Sequence, residues 1–458
     1  MTKEKGGFAS YSLAAVVLAA GRSTRLRTSV PKALHALAGR PLLGHVLDAL
    51  AVVRPVRTVV VTPPDAAAFA PFAGTATLVE QDEPLGTADA VLRARKALAG
   101  FDGGVLIVFG DSPLLTAATA ERMAAARTGS AHPAIVVLGF EAENPAGYGR
   151  LVTGAGGALE RIVEDSDASS AERAITLCNS GMMLVDGATL FSLLEDTGSA
   201  NARGEHYLTE IVALARGRGL DCAVVHGDEH ELMGINTRAD LAVAEAAMQS
   251  RLRSAALAGG ATLVDPLSVY FSFDTRLGED VTIEPGVVFG PGVVVGNGVT
   301  VRAFSHIEGA VLADGASVGP FARLRPGTHL AAGARVGNFV EVKNASLGEG
   351  AKANHLSYLG DADIGPDANI GAGTITCNYD GFTKSRTEIG RGAFIGSNSA
   401  LVAPVRIGAG AVVGAGSTIT RDVAADALAL TRAPQEDVEG GAAERRLRAA
   451  DRAGKKKA

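Results

Sequence analysis

Tryptophan is absent from this 458-residue chain, and aromatic residues make up only 5% of it. That argues against an aromatic stacking platform for nucleobases. Cysteine is scarce too. Cys178, Cys222 and Cys377 are odd in number, far apart and without metal-ligand spacing. A disulfide framework is therefore not expected, and a reducing compartment is. An excess of positive charge is also missing. The formal net charge of −6 argues against nucleic acid as the main partner. The apolar run in SYSLAAVVLAA follows Lys3 and Lys5, as in a short signal peptide, but it is too short to span a membrane. We read it as a buried strand entering a Gly turn. Cleavage there would destroy the phosphate-handling motif that comes next.

What is present is apolar residues at 47%, enough for large cores, and a length that suggests about three units. Glycine is abundant, at 57 residues, and concentrates in the second half. There, from Leu277 to about Val423, an aliphatic residue recurs every sixth position. Ile283, Phe289, Val295, Val301 and Ile307 follow Leu277. A five-residue step leads to Leu312, Val318 and Leu324, and the count runs on to Ile370. After a loop from Thr376 to Glu388 it resumes at Ile389, Ile395, Leu401, Ile407, Val413 and Ile419. A period of six fits neither an amphipathic helix nor an alternating strand. It fits a solenoid of short parallel strands, each ended by a tight turn rich in Gly, Asn and Asp. Three such hexapeptides, roughly eighteen residues, would make one triangular coil. The pattern resembles the left-handed parallel β-helix of the hexapeptide-repeat proteins.

The first half alternates strand-like and helix-like segments. Strands are expected at 14–19, 57–62, 105–109 and 135–139, and helices at 42–53, 87–99, 116–126 and 206–217. Near-continuous apolar strands between amphipathic helices predict a mostly parallel α/β sheet covered on both faces. Its ligand crevice lies at the carboxyl ends of the strands. Two motifs fall there. LAAGRSTRLRTSVPK places a Gly turn with Arg22, Arg25 and Lys32 after the first strand, which suits a nucleoside triphosphate. It lacks the glycines of a Walker loop and of a dinucleotide GxGxxG. VFGDSPLL ends a strand with Asp111, well placed to hold Mg²⁺.

LAAGRSTRL, Pro31–Lys32, EPLGTADA, VFGD, GYGR, IVED, CNSGMM and GINTRADL together resemble the sugar-1-phosphate nucleotidyltransferases, a family whose likeness implies a Rossmann-like α/β fold. Joined to this β-helix, they resemble the bifunctional bacterial uridyltransferase and acetyltransferase enzymes. The likeness covers roughly residues 13–435. One departure is visible: Ser23 replaces the second Gly of G-x-G-T-R, and an adjustment of backbone approach is expected.

The resemblance implies a division of roles. Leu18, Ala19, Ala20 and Gly21 would present backbone to the uridine of UTP. Gln81, Gly86 and Thr87 would read base and ribose, and Arg25 and Lys32 would neutralise the triphosphate. Gly149, Glu164 and Asn179 would hold N-acetylglucosamine, and Asp111 and Asn236 would bind Mg²⁺. In the β-helix, polar residues break the repeat where a scaffold needs none. There His355 would be the general base toward the amine of glucosamine-1-phosphate. An ordinary imidazole pKa of about 6.5 suits that task. Arg325, Lys343, Tyr358 and Asn369 would hold the sugar phosphate. We expect His355, Arg325, Lys343 and Tyr358 at similar angular positions on neighbouring rungs. Ala372, Asn378, Tyr379, Ser397, Ala415 and Arg432 would line the acetyl-CoA side. A homotrimer with shared acetyltransfer sites is implied by the resemblance alone.

The expected domains are a uridyltransferase at 1–236, a linker helix at 237–260 and an acetyltransferase β-helix at 261–458. Beyond Gln435 a short helix and a solvated basic tail are expected. The expected function is acetylation of glucosamine-1-phosphate, then uridylyl transfer to the product; because the resulting UDP-N-acetylglucosamine supplies the bacterial cell wall, a cytoplasmic location is expected. Two other readings stay open: a single-activity nucleotidyltransferase whose β-helix is a scaffold, and a non-catalytic assembly subunit of the same two folds. The set of His355, Arg325, Lys343 and Tyr358 argues against the first. Arg25, Lys32, Asp111 and Asn236 argue against the second.

Overall fold

A computed structural model describes residues 12–21, 24–129, 131–154 and 156–455. Lys3 and Lys5, Arg22 and Ser23 lie outside the described residues. The chain divides into two compact units, 1–254 and 255–458.

In the first unit, aliphatic strands need cover on both faces. Leu13–Leu18 is buried along its whole length and sits in the middle of the sheet. It pairs in parallel with Arg57–Thr62 on one side and Gly104–Phe109 on the other. The spatial order is Cys222–His226, Ile135–Glu141, Leu177–Asp186, Gly104–Phe109, Leu13–Leu18, Arg57–Thr62 and Thr77–Glu80. One apolar layer, with Val16, Val59 and Ile107, lies on one face. A second, with Val17, Val46 and Leu106, lies on the other.

The sheet is mixed. Leu177–Asp186 runs antiparallel to both neighbours. The hairpin of Arg150–Thr153 and Leu159–Val163 attaches to it. Helices form at Leu42–Val52 and Ala117–Thr128, the latter capped by the Thr116 hydroxyl. Two expected helices are shorter than their sequence pattern. One is Thr87–Arg93, which gives way to turns before residue 99. The other is Glu210–Gly217, which starts after His206. Arg238–Ala258 is a single helix.

The second unit is a left-handed parallel β-helix. Three parallel sheets each receive one strand per coil. In the coils before the loop, residues pair with those 17 or 18 positions on, Ile283 with Val301 and Val301 with Val318, whereas across the loop the step is 25, as from Ile364 to Ile389. The shorter coil contains the five-residue step from Ile307 to Leu312. The sixth-position residues fill the interior, with Ile283, Val301, Leu324, Leu359 and Val413 all fully buried. Leu277, at the entry, is only half-buried. Corner residues take left-handed φ, including Phe304 (58°), Phe321 (55°), Phe339 (55°) and Leu356 (49°). The three phenylalanines stack at 5.1 and 5.3 Å between ring centroids and remain exposed. Gly441–Lys455 forms a helix.

Candidate functional site

The first unit holds a cleft of about 900 Å³ at the carboxyl ends of its parallel strands. Leu18, Ala19, Ala20 and Gly21 form one wall, because the buried strand ends there and its backbone turns into the open. Gln81, Gly86 and Thr87 form another. Gly86 has φ of 121°, and a Cβ there would stand 2.3 Å from the His206 carbonyl oxygen. This close approach ties the Thr87 turn to the 198–208 loop. The Ala88 amide donates to His206 O at 2.9 Å, and the Leu208 amide to Thr87 Oγ1 at 2.9 Å. The Gln81 amide is buried and donates to Asp89 Oδ2 (2.8 Å) and Gly86 O (3.1 Å).

At the basic end, Arg25, Lys32, Asp111 and Asn236 come together from four separate segments. Arg25 Nη2 and Lys32 Nζ each donate to Asn236 Oδ1 at 2.7 Å. Lys32 is also ion-paired with Asp111. The Ile235 amide donates to Asp111 O at 3.0 Å, which ties the two loops together. Asp240, at the start of the long helix, accepts from the Asn236 and Thr237 amides at 2.8 Å each.

No cluster of three His, Cys, Asp or Glu that could hold a metal occurs among the described residues. The fit of a divalent cation therefore rests on Asp111 and Asn236. Their oxygens converge on one ammonium, so the position already favours positive charge. One carboxylate and one amide suit a hard cation that takes its other oxygens from phosphates and water. The donor set fits.

Gly149, Glu164 and Asn179 form a group of their own. A Cβ on Gly149 would lie 3.6 Å from Glu164 Oε2 and 3.6 Å from Asn179 Cβ. The Asn179 amide donates to Gly149 O at 2.8 Å, and Asn179 Oδ1 accepts from the Gly181 amide at 2.9 Å. Burial pushes the Glu164 carboxyl above the ordinary range, while the Thr209 hydroxyl, donating at 3.0 Å, opposes that shift. None of these three lines the cleft, whose wall there is Gly147, Tyr148 and Ser180. Sequence reasoning missed Arg203 and Glu205, which also line it. Their loop carries no period or fingerprint and reaches the cleft only through tertiary folding.

In the second unit, His355 ends the strand Lys352–His355 and is exposed. Its Nδ1 lies 2.7 Å from Asn338 Oδ1, the residue that pairs with it in the parallel ladder. With Nδ1–H donating to that oxygen, Nε2 carries the free lone pair. Asn338 was missed, although it stands 17 residues before His355, one coil away.

The expected single angular position is corrected by the structure. His355 lies on one face of the prism, while Arg325, Lys343 and Tyr358 belong to the next face, beyond Leu356–Ser357. Leu324 pairs with Val342, which puts Arg325 beside Lys343. Arg325 Nη1 donates to Glu341 Oε1 at 2.9 Å. Tyr358 pairs with Glu341 and folds over Gly360, where a Cβ would lie 2.5 Å from its hydroxyl. Asn369 pairs with Lys352 on the His355 face.

Ala372, Ser397 and Ala415 follow His355 up the same corner on successive coils. The Asn398 amide donates to Ala372 O at 2.7 Å and the Gly416 amide to Ser397 O at 2.9 Å. Arg432 Nη1 donates to Ala415 O at 2.6 Å. Asn378 differs: its amide is buried against Asp361, which also accepts from Asn344 Nδ2 at 2.6 Å. Tyr379 stands exposed on the loop.

Comparison with known proteins agrees with both halves. The MobA-like NTP transferase domain matches residues 15–177, and the bacterial transferase hexapeptide (six repeats) matches 274–309 and 386–421. A protein of Paramagnetospirillum magneticum is 54% identical over 448 residues, 98% of this chain and 100% of the relative. One from Rhodospirillum rubrum is 59% identical over 430 residues, 94% of this chain and 96% of the relative. One from Zymomonas mobilis is 50% identical over 427 residues, 92% of this chain and 95% of the relative. Each of the three bears the name Bifunctional protein GlmU.

Proposed function

The chain belongs to the family of bifunctional GlmU proteins, and from that membership we propose how its residues divide two reactions. It is a bifunctional transferase of UDP-N-acetylglucosamine synthesis. One activity acetylates glucosamine-1-phosphate with acetyl-CoA, and the other transfers UMP from UTP to N-acetylglucosamine-1-phosphate, releasing pyrophosphate. We assign residues 1–236 to uridylyl transfer, 237–260 to a linker helix and 261–458 to acetyl transfer. One observation carries this division: each compact unit has a polar constellation of its own, Lys32–Asp111–Asn236 in one and His355–Asn338 in the other.

In uridylyl transfer a phosphate oxygen of the sugar phosphate attacks the α-phosphorus of UTP. The O–P bond to the pyrophosphate breaks as the new one forms. The attacking oxygen is already ionised at neutral pH, so no base is required. The work is positioning and charge stabilisation. Residues 18–21 present backbone to the uridine, and Gln81, Gly86 and Thr87 bound its base and ribose. Arg25 and Lys32 neutralise the departing pyrophosphate. Asp111 and Asn236 would hold a divalent cation, Mg²⁺ in this reading, which would add charge neutralisation at the phosphates. Lys32 would then turn from Asp111 toward phosphate. Gly149, Glu164 and Asn179 are assigned to the sugar.

In acetyl transfer His355 Nε2 takes a proton from the glucosamine ammonium or attacking amine. The nitrogen forms a bond to the acetyl carbonyl carbon, the C–S bond breaks, and the CoA thiolate regains a proton. Arg325, Lys343, Tyr358 and Asn369 are assigned to the sugar phosphate. The corner column Ala372, Ser397, Ala415 and Arg432, with Asn378 and Tyr379 at the loop, is assigned to acetyl-CoA. Asn378 would act there through its backbone, its amide being engaged by Asp361. The stacked, exposed Phe304, Phe321 and Phe339 support a homotrimer. No helix among the described residues is long and apolar enough to cross a membrane. A cytoplasmic setting follows from the substrates.

One incubation tests this. The protein is mixed with glucosamine-1-phosphate, acetyl-CoA, UTP and Mg²⁺, with or without EDTA, and read by mass spectrometry. UDP-N-acetylglucosamine is expected, replaced by N-acetylglucosamine-1-phosphate when EDTA is present. If the amine stays free while added N-acetylglucosamine-1-phosphate is converted, the β-helix is a scaffold.

A further inference from the structure

The face of the β-helix that bears His355 also bears cations that acetyl transfer does not use. Arg335 sits in the ladder between Ser317 and Lys352. Arg302 lies on the coil before Ser317, two residues beyond Thr300, which pairs with Ser317. Arg302 and Arg335 are thus two coils apart, roughly 10 Å along the axis at the usual strand spacing. Ser317 and Gly319 lie between them.

A groove of about 510 Å³ follows this face, and Arg302, Ser317, Arg335, Asn338, Asn354 and His355 line it. No carboxylate is in its wall. Its floor is kept low by glycine. A Cβ at Gly337 would lie 1.9 Å from Asn354 O, and one at Gly319 would lie 2.3 Å from Ser305 Oγ.

Among the described residues, several arginines of this unit are ion-paired, although Arg276 and Arg421, away from this groove, are not. Arg325 donates to Glu341, Arg386 is ion-paired with Asp363, and Arg406 with Glu388. Arg302 and Arg335 have neither an ion pair nor a side-chain hydrogen bond among the described residues. Glu284 is next to Arg302 in the ladder, but its Oε2 accepts from the Ala303 amide at 2.9 Å.

Two unpaired guanidiniums on a rigid scaffold, with the Ser317 hydroxyl between them and the Asn338 and Asn354 side chains further along the same groove, match the acceptors of a phosphoanion. We infer that this groove is a second anion subsite, for a phosphate or diphosphate group, contiguous with His355. It is separate from the Arg325–Lys343 column, which lies on the neighbouring face. An occupant covers one approach to His355 and slows acetyl transfer. That consequence rests on the acetyl-transfer reading; the binding does not. Two sources share the chemistry: pyrophosphate released by uridylyl transfer, and inorganic phosphate.

The test uses the full chain in EDTA at constant ionic strength. Pyrophosphate and inorganic phosphate are titrated separately by calorimetry into the wild type and the double variant Arg302→Ser/Arg335→Ser. CoA release is followed in parallel. The wild type is expected to show one more binding event than the variant. Tighter binding of pyrophosphate would identify it as the source, and equal binding would identify any phosphate. Basal CoA release of the variant should stay within about twofold of wild type, while its inhibition constant rises at least about tenfold, one charge-assisted contact's worth. Saturating glucosamine-1-phosphate should not relieve the wild-type inhibition. Identical binding curves for the two proteins would overturn the subsite. So would a change in oligomeric mass of the variant without a change in anion binding, which would give the groove to another copy of the chain. Binding without inhibition would remove the regulatory consequence alone. Absence of any CoA release would sink the acetyl-transfer reading and leave calorimetry to decide the subsite. A lysine double variant at the same positions should bind more weakly than wild type but more tightly than the serine variant.

Discussion

Lys32 donates to Asn236 Oδ1 at 2.7 Å while it is ion-paired with Asp111. One ammonium therefore joins two oxygens that come from loops more than a hundred residues apart in sequence. Removing either end should disable uridylyl transfer and nothing else. Lys32→Ala and Asp111→Asn are each expected to lower pyrophosphate release by about 10²- to 10³-fold, the usual cost of a lost charge stabiliser. CoA release by the same preparations should be unchanged. An equal loss of both activities would show that the substitutions act through folding.

His355 and Asn338 make a second testable pair. His355→Ala should lower CoA release by about 10²- to 10⁴-fold, the range of a placed general base. UDP-N-acetylglucosamine formation from added N-acetylglucosamine-1-phosphate should persist. Asn338→Ala removes only the acceptor that orients the ring. A fall in kcat of about tenfold is expected, equal to one hydrogen bond of ~1.4 kcal/mol. Little change in KM should accompany it.

Gly86→Ala meets both a left-handed φ of 121° and a backbone oxygen at 2.3 Å. It should destabilise the first unit by about 1–3 kcal/mol. Gly217 is a control, since nothing lies within 4 Å of a Cβ there. Gly217→Ala should be neutral or stabilising by up to ~1 kcal/mol. Thermal unfolding read by calorimetry separates the two, and a Gly86→Ala protein that melts at the wild-type temperature would contradict the close approach.

Asp361 links acid sensitivity to the β-helix. Burial raises its carboxyl, but the Asn344 and Asn378 amides, with Lys343 and Lys384, outweigh burial and hold it below the ordinary range. A depressed carboxyl contributes stability above its unfolded pKa of about 4 and loses it as pH falls through the folded value. Asp361→Asn should therefore lower stability at neutral pH and flatten its dependence on pH below about 4. Urea unfolding at several pH values checks this, and parallel curves for the two proteins would argue against the role.

The solenoid was legible because its constraint is local. Each sixth residue must fill the interior, and each corner must accept a tight turn, so Val301, Leu324 and Val413 announce the core one by one. The entry residue Leu277 keeps the period yet stays half-buried, because no coil precedes it to cover it. The parallel strands of the first unit were legible as apolar runs. The antiparallel Leu177–Asp186 was not, because strand direction leaves no mark on composition. The helix expected to 99 stops at Arg93, where turn geometry overrides helix propensity.

The site divides in the same way. The sequence by itself determined a triphosphate-type turn after the first strand, a carboxylate at a strand end and a six-residue repeat with a histidine that a scaffold does not need. Those are properties of short segments. Only the tertiary structure decided that Lys32 stands between Asp111 and Asn236 and that Asn338 orients His355. It alone put Arg325 and Lys343 on the next face, buried the Asn378 amide on Asp361 and left Arg302 and Arg335 unpaired beside His355. The reason is physical. A period fixes which side chains point inward, whereas the meeting of two polar groups depends on how coils stack and loops cross, and that is set by the packing of the whole chain.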